Sequence, residues 1–248
     1  MIKVHNLKKS FAGESVLKGV STTFEKGKTN LIIGQSGSGK TVFMKCLVGL
    51  LEPDHGDIFY KDMNFTTMKG NERTVVRKTM GMLFQGSALF DSLTVEENVI
   101  FPLDMFNKDM NRKQKMERAQ FCLDRVNISN ANKLYPAEIS GGMKKRVAIA
   151  RAIANQPGFL FCDEPNSGLD PKTSIVIDQL ISEITKEFQM TTVINTHDMN
   201  SVMEIGDHVV FLHKGELAWE GSSSGILNSD NKEVEDFVYA SELMRKLQ

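Results

Sequence analysis

Eight consecutive residues, Gly34, Gln35, Ser36, Gly37, Ser38, Gly39, Lys40 and Thr41, have the types and spacing of a phosphate-binding loop, G-x-x-x-x-G-K-[ST]. Glycines let backbone amides crowd round a polyphosphate where a Cβ would clash. Lys40 would supply a charge to the β- and γ-phosphates, and the Thr41 hydroxyl would hold Mg²⁺. A second group of residues suits the same chemistry. The apolar run Gly158-Phe159-Leu160-Phe161-Cys162 ends in Asp163-Glu164-Pro165. Two acids at a strand end are usually just solvated. Downstream of a phosphate loop, Asp163 would hold Mg²⁺ through water and Glu164 would polarise the water attacking the γ-phosphate.

These groups need elements to hold them. Leu31-Ile32-Ile33 is a short buried-strand run before the loop. Thr41 to Leu50 is largely apolar and free of breakers except Gly49, so a helix can begin at the loop with its N-terminus toward the phosphates. Residues 2–24 alternate like a hairpin turning at Gly13, with Phe11 just before the turn. An exposed aromatic there could stack on adenine, although by itself Phe11 would be an ordinary packing residue. Residues 57–60 extend the same antiparallel layer. Met80 to Phe84 is a strand ending at Gln85.

The next stretch is helical. Thr94 and Glu97 make a capping box for a helix that Pro102 interrupts or ends. Met116, Ala119, Leu123 and Val126 recur as one apolar face. A helix starts at Ser140-Gly141-Gly142, with Lys144, Lys145 and Arg146 as polar positions, and Pro157 closes it. The run from Gly158 reads as a central parallel strand. Asp170 caps a helix with Pro171 at its first position. Thr191 to Thr196 is a strand ending at His197, and residues 208–220 form a hairpin around Lys214-Gly215. Ser222 to Gly225 breaks the pattern before a charged, helical tail, residues 226–248.

Composition narrows the class. The chain has 248 residues, 41% hydrophobic, enough for one large α/β domain or a core with a subdomain. A net charge of −1 argues against tight, purely electrostatic nucleic-acid binding. Basic residues between Lys108 and Arg118 read as a solvated helix face. Cys46, Cys122 and Cys162 lie in apolar stretches without metal spacing and read as buried thiols in a reducing compartment. No signal peptide or membrane-spanning run is expected. The single phosphate loop implies one nucleotide per chain.

Taken in order, the motifs resemble those of the ATP-binding subunits of ABC transporters over residues 1–225. Gly34 to Thr41 is similar to the Walker A loop, Phe159 to Asp163 to Walker B, and Ser167-Gly168-Leu169-Asp170 to the D-loop. The resemblance implies roles for residues that spacing alone leaves open. Glu164 would be the catalytic glutamate, and His197 the switch histidine touching the γ-phosphate. Gln85 would be the Q-loop glutamine, reaching Mg²⁺ and the attacking water where a permease docks. Phe11 would stack on adenine. Ser140-Gly141-Gly142-Met143 would be the signature motif, binding with Asp170 to ATP held by a second copy, so that two MgATP join a homodimer. Met143 stands where most of the family has Gln, and Gly168 where Ala is common.

The implied fold is α/β. It comprises a P-loop NTPase core with a mainly parallel sheet (residues 1–85 and 158–225), an N-terminal antiparallel β layer, and a helical subdomain inserted at residues 86–157. The segment Met82 to Phe90, the stretch Leu93 to Leu103 and Ser-Gly-Gly-Met resemble the Mla-type lipid-transport branch. That implies phospholipid transport at the cytoplasmic face of the inner membrane, with a permease and lipid-shuttle accessory subunits. The alternatives are another ABC importer or exporter, such as polar amino-acid uptake, and a non-transport ATPase acting on DNA or ribosomes. The last would carry a long coiled-coil insertion or two fused halves, and this sequence shows neither. In the tail, Val234, Phe237, Val238 and Ser241 share helical spacing, followed by Leu243 and Leu247. They would cover either their own subunit or a neighbouring one.

Overall fold

Alternating apolar positions near the N-terminus become two long strands, β1 (Ile2–Phe11) and β2 (Glu14–Phe24), joined by a turn in which Gly13 has φ 86°. The computed structural model describes residues 1–239. Two further strands, β4 (His55–Tyr60) and β5 (Met63–Asn64), complete a four-stranded antiparallel sheet ordered β2-β1-β4-β5. Ile2, Val4 and Leu7 point inward from it.

The second sheet is the main one. It contains β3 (Thr29–Ile33), β6 (Met80–Leu83), β7 (Phe159–Asp163), β8 (Thr191–Asn195), β9 (His208–His213) and β10 (Glu216–Gly221), ordered β10-β9-β3-β8-β7-β6. All neighbours pair in parallel except the β9–β10 hairpin. Every residue of β3 and β8 is buried, as expected for central parallel strands covered on both faces. One apolar core lies between the two sheets with α1 (Lys40–Leu47). The other covers the opposite face of the main sheet. In such sheets ligands gather at the carboxyl ends of the strands, where the loops after β3, β7 and β8 emerge.

Three α-helices and a 3₁₀ turn at Pro136–Glu138 lie between β6 and β7, the helices being α3 (Val95–Phe106), α4 (Arg112–Arg125) and α5 (Gly141–Ile153). The Thr94–Glu97 capping box is formed, with Thr94 N–H donating to Glu97 Oε2 at 2.8 Å. Pro102, however, does not stop α3. The helix runs past it to Phe106 because Val95, Val99 and Leu103 bury one face against α4 and α5. That packing outweighs the one hydrogen bond proline cannot make. On α4 the buried face is Ala119, Cys122 and Leu123, and Met116 is exposed, so the apolar stripe sits further along the helix than its spacing suggests. Arg118 is not simply solvated, since it donates to the carbonyls of Ile153 and Ala154 at the end of α5.

The remaining helices are α2 (Gly70–Arg77), α6 (Pro171–Phe188), α7 (Met199–Ile205), α8 (Ser223–Ile226) and α9 (Lys232–Val238). Helix α1 ends at Leu47, short of Leu50, where Gly49 takes φ 71°. Ser222 to Gly225 does not merely break the pattern, because Ser222 caps α8 through Gly225 N–H at 3.1 Å. Helix α9 folds back on its own subunit. Val234, Phe237 and Val238 are buried, and the Phe237 ring lies 5.3 Å from that of Phe211 on β9. For these three residues, packing onto a neighbouring subunit is therefore overturned by burial in their own core. Ser241, Leu243 and Leu247 lie outside the described residues. The three cysteines are buried free thiols, and burial pushes Cys46 and Cys122 up to about 11.

Candidate active site

The loop between β3 and α1 is shaped by left-handed glycines, with Gly34 at φ 148°, Gly37 at 80° and Gly39 at 103°. A Cβ on Gly34 would stand 2.3 Å from the Leu212 carbonyl oxygen, so no other residue fits there without moving β9. Gly39 occupies the N-cap of α1 and aims the helix's first amides back at the loop. Lys40 is 8% exposed, and its Nζ donates to the carbonyls of Gly34 at 2.8 Å and Gln35 at 3.0 Å. Burial lowers the Lys40 pKa, while Glu164 and Asp163 act in the opposite direction. Ser38 Oγ is buried without a hydrogen-bond partner.

The loop forms one wall of an open cleft of about 950 Å³. Gln35, Ser36, Gly37, Gly39, Lys40 and Thr41 line it, together with Gln85, Glu164 and His197. Residues from four separate stretches thus converge on one space. Glu164 has φ 47°, a left-handed conformation uncommon for a side chain of this size, and its N–H is tied to the Asn195 carbonyl at 2.8 Å. His197 Nδ1 lies 2.8 Å from Glu164 Oε1. Gln85 Nε2 donates to Ser167 Oγ at 3.4 Å. The Gln85 carbonyl accepts from Lys145 Nζ on α5. Lys145, a polar position in the sequence, is in fact buried, 4% exposed, with its pKa lowered by that burial. Arg151 on the same helix holds the carbonyls of Ser87 and Ala88 at 2.8 and 2.7 Å.

The donor set fits a magnesium nucleotide. Thr41 Oγ1 and the Asp163 carboxylate are bridged by Asn195, whose Nδ2 lies 2.6 Å from Asp163 Oδ1 and 3.5 Å from Thr41 Oγ1. Asn195 Oδ1 is buried and unpartnered. Among the described residues no cluster of three His, Cys, Asp or Glu side chains could hold a metal alone. Mg²⁺ typically takes one or two protein oxygens and completes its octahedron with phosphate and water, which suits Thr41, Asp163 and the Gln85 amide. Asn195 was not singled out in the sequence. Its signal is an amide at the end of a wholly buried strand, two residues before His197. Val16, Met199 and Asn200 also line the cleft, and no motif in the sequence marks them.

Two groups of expected residues stand elsewhere. Phe11 is not among the residues lining the cleft. It is 42% exposed at the end of β1, with Lys9 Nζ 5.4 Å from its ring centre. Ser140, Gly141, Gly142 and Met143 also lie off the cleft, at the start of α5. Ser140 Oγ accepts from Met143 N–H at 3.3 Å. A Cβ on Gly142 would meet Thr173 Cγ2 at 2.8 Å, so this helix end is pressed against the start of α6. Asp170 caps α6 there, accepting from Thr173 N–H at 3.1 Å, and the Thr173 hydrogen bonds lower its pKa. The chain thus presents two separate sets of expected nucleotide residues.

Residues 17–167 match the family model described as ABC transporter. The chain is 38% identical over 233 residues to the methionine import ATP-binding protein MetN 4 of Oceanobacillus iheyensis, covering 92% of this chain and 67% of that protein. It is 39% identical over 240 residues to the arginine transport ATP-binding protein ArtM of Bacillus subtilis, covering 96% of this chain and 98% of that one. Among solved structures, the dimeric bacterial ABC transporter cassette MJ0796 superposes with a TM-score of 0.82 at 32% identity, over 90% of this chain and 99% of its own. The same cassette in a post-hydrolysis state bound to ADP and Pi gives 0.80. With the phosphate loop, Glu164 and a strand-end histidine on one cleft, the chain belongs to the ABC transporter family as one of its Mg²⁺-dependent, ATP-hydrolysing cassettes.

Proposed function

We propose that this chain works as a face-to-face homodimer whose two composite ATP sites drive a membrane permease. One observation carries the reading. Lys40, Gln85, Glu164 and His197 share one cleft, while Ser140 to Met143 and Asp170 lie off it, at the starts of α5 and α6. In this reading the loop and Lys40 bind the phosphates, and Val16 or Phe11 meets the base. Thr41, Asp163 and Gln85 hold Mg²⁺, which neutralises phosphate charge when bound. Glu164 takes a proton from the attacking water, and His197 touches the γ-phosphate. The partner's Ser140 helix end adds amides to that phosphate. Dimeric MJ0796, with a TM-score of 0.82, supports the assembly. Residues 86–157 act as a helical subdomain inserted into the core.

The expected outcome for Glu164→Gln is MgATP binding with turnover nearly abolished and an ATP-dependent dimer accumulating in size-exclusion chromatography. Near-normal turnover would contradict the role of Glu164.

For the cargo, uptake of amino-acid-like solutes is the better supported reading, because the similar proteins MetN 4 and ArtM are named for methionine and arginine. Near-equal identity to both fits a motor that never touches cargo. A second reading, lipid transport, rests on Met82 to Phe90, Leu93 to Leu103 and Met143. Gentle purification of the tagged chain from its own cells, followed by mass spectrometry, separates them. A co-purifying soluble amino-acid-binding protein supports the first, and a lipid-shuttle subunit the second. Both readings place the chain at the cytoplasmic face of a membrane through its permease. Among the described residues no helix is long and apolar enough to cross one.

A further inference from the structure

Asp178 lies on α6, outside the residues lining the cleft, and is 3% exposed. A carboxylate is seldom buried so far without a reason. Its Oδ2 accepts a 2.7 Å hydrogen bond from the Ser201 hydroxyl on α7. That hydroxyl in turn accepts a 3.1 Å bond from Asn166 Nδ2, in the loop between Glu164 and Asp170. Asp178 Oδ1 and Asn166 Oδ1 are buried without partners. The groups that favour its anion, Ser201 and the nearby Asn166 amide, are both neutral, and among the described residues no cation pairs with it, so it is a poor stabiliser and an apolar side chain would serve packing better.

Both ends of this relay lead into the site. Asn166 is two residues from Glu164, and the next residue, Ser167, holds the Gln85 amide at 3.4 Å. Ser201 is 1% exposed and directly follows Met199 and Asn200, which line the cleft beside His197. We infer that Asp178 is a positioning residue for ATP hydrolysis: as an anion it orients Ser201 and Asn166, and so sets the Glu164 loop against the His197 segment. This rests on the reading of Glu164 and His197 given above.

The chemistry is directional. An ionised Oδ2 only accepts, so Ser201 must donate to it and keeps a lone pair for Asn166. A protonated Asp178 can donate instead, and Ser201 is then free to turn. Burial is the largest influence pushing the Asp178 carboxyl up to about 6, against the hydrogen bonds from Ser201 and Asn166, which favour the anion. The charged or titratable groups facing it are Asp198 and Glu204 from the α7 segment, which add to the rise, and the Cys162 thiol on β7. For an acid whose folded pKa is raised, stability is full at low pH and is lost as pH rises through about 6. At neutral pH the anion therefore weakens the fold, and function is the reason to keep it.

The test uses the full chain with Asp178→Asn and Ser201→Ala, measuring ATPase kinetics against pH, MgATP titration and thermal melting. Asp178→Asn is expected to lower kcat about tenfold at neutral pH with KM and binding unchanged, and to melt no lower than wild type. The ratio of wild-type to variant kcat should shrink as pH falls through about 6. Ser201→Ala breaks the relay without removing the charge and should lower kcat similarly, so it carries the test if Asp178→Asn does not fold. Wild-type kcat in both variants, a ratio flat with pH, or kcat loss only in step with melting would overturn the inference. Glu164→Gln measured alongside separates the two readings. If it still turns over, the site assignment itself is wrong. If it is dead while Asp178→Asn is normal, only the positioning role falls.

Discussion

Lys40 is held by two carbonyls of its own loop, at 2.8 and 3.0 Å, and is nearly buried. Its head group is thus aimed before any phosphate arrives, which reduces the ordering cost of binding. Burial also lowers its pKa, and a bound polyphosphate would reverse that by adding negative charge beside it. Lys40→Ala should therefore lose ATP affinity by tenfold or more, equivalent to about 1.4 kcal/mol. Titration calorimetry against MgATP checks it, and unchanged affinity would remove Lys40 from the phosphate site. The same scale shows why Asn195 and Lys145 were hard to find. Neither belongs to a dense motif, and each acquires partners only when β8 meets β7 or α5 meets the loop after β6.

Among the elements, α9 has the most to show about assembly. Its apolar positions repeat at helical spacing, and a helix of seven residues needs packing to persist. Spacing says that a face is buried but not against what. The structure places Val234 and Phe237 in the core beside β9, with Phe237 also reaching the edge of the cleft. Phe237→Ala should therefore destabilise the isolated subunit by about 3–5 kcal/mol, read as a lower melting temperature. An unchanged melting temperature with impaired complex assembly would mean that the ring matters between subunits. Pro102 makes a related point. A proline read locally as a helix end is tolerated because α3 is clamped by two neighbours.

At the scale of the whole molecule, the cleft and the Ser140 helix end are separate surfaces of one chain, and the proposed dimer brings each to the other's copy. Ser140→Arg should leave folding and monomer nucleotide binding intact while abolishing the ATP-driven dimer. The bulky cation would block approach of the helix end to the partner's phosphate. Mixing this variant with Lys40→Ala should leave at most one workable composite site per dimer. Analytical ultracentrifugation with ATP, paired with turnover of the mixture, reads both. Full activity in each variant alone would mean that Ser140 does not act across an interface.

The sequence by itself determined the phosphate loop, the apolar strand ending in Asp163-Glu164, the hairpins and most of the helices. Each is a local statement: glycines where φ is positive, alternation for strands, a 3.6-residue repeat and caps for helices. It also determined the family, because the motifs stand in order along one chain. Tertiary structure decided the rest. It ran α3 through Pro102, turned α9 onto its own core, buried Lys145 and placed Asp178, Ser201 and Asn166 in contact. Those outcomes depend on residues far apart in sequence, where the free energy of burying a face or pairing a buried polar group exceeds local preference.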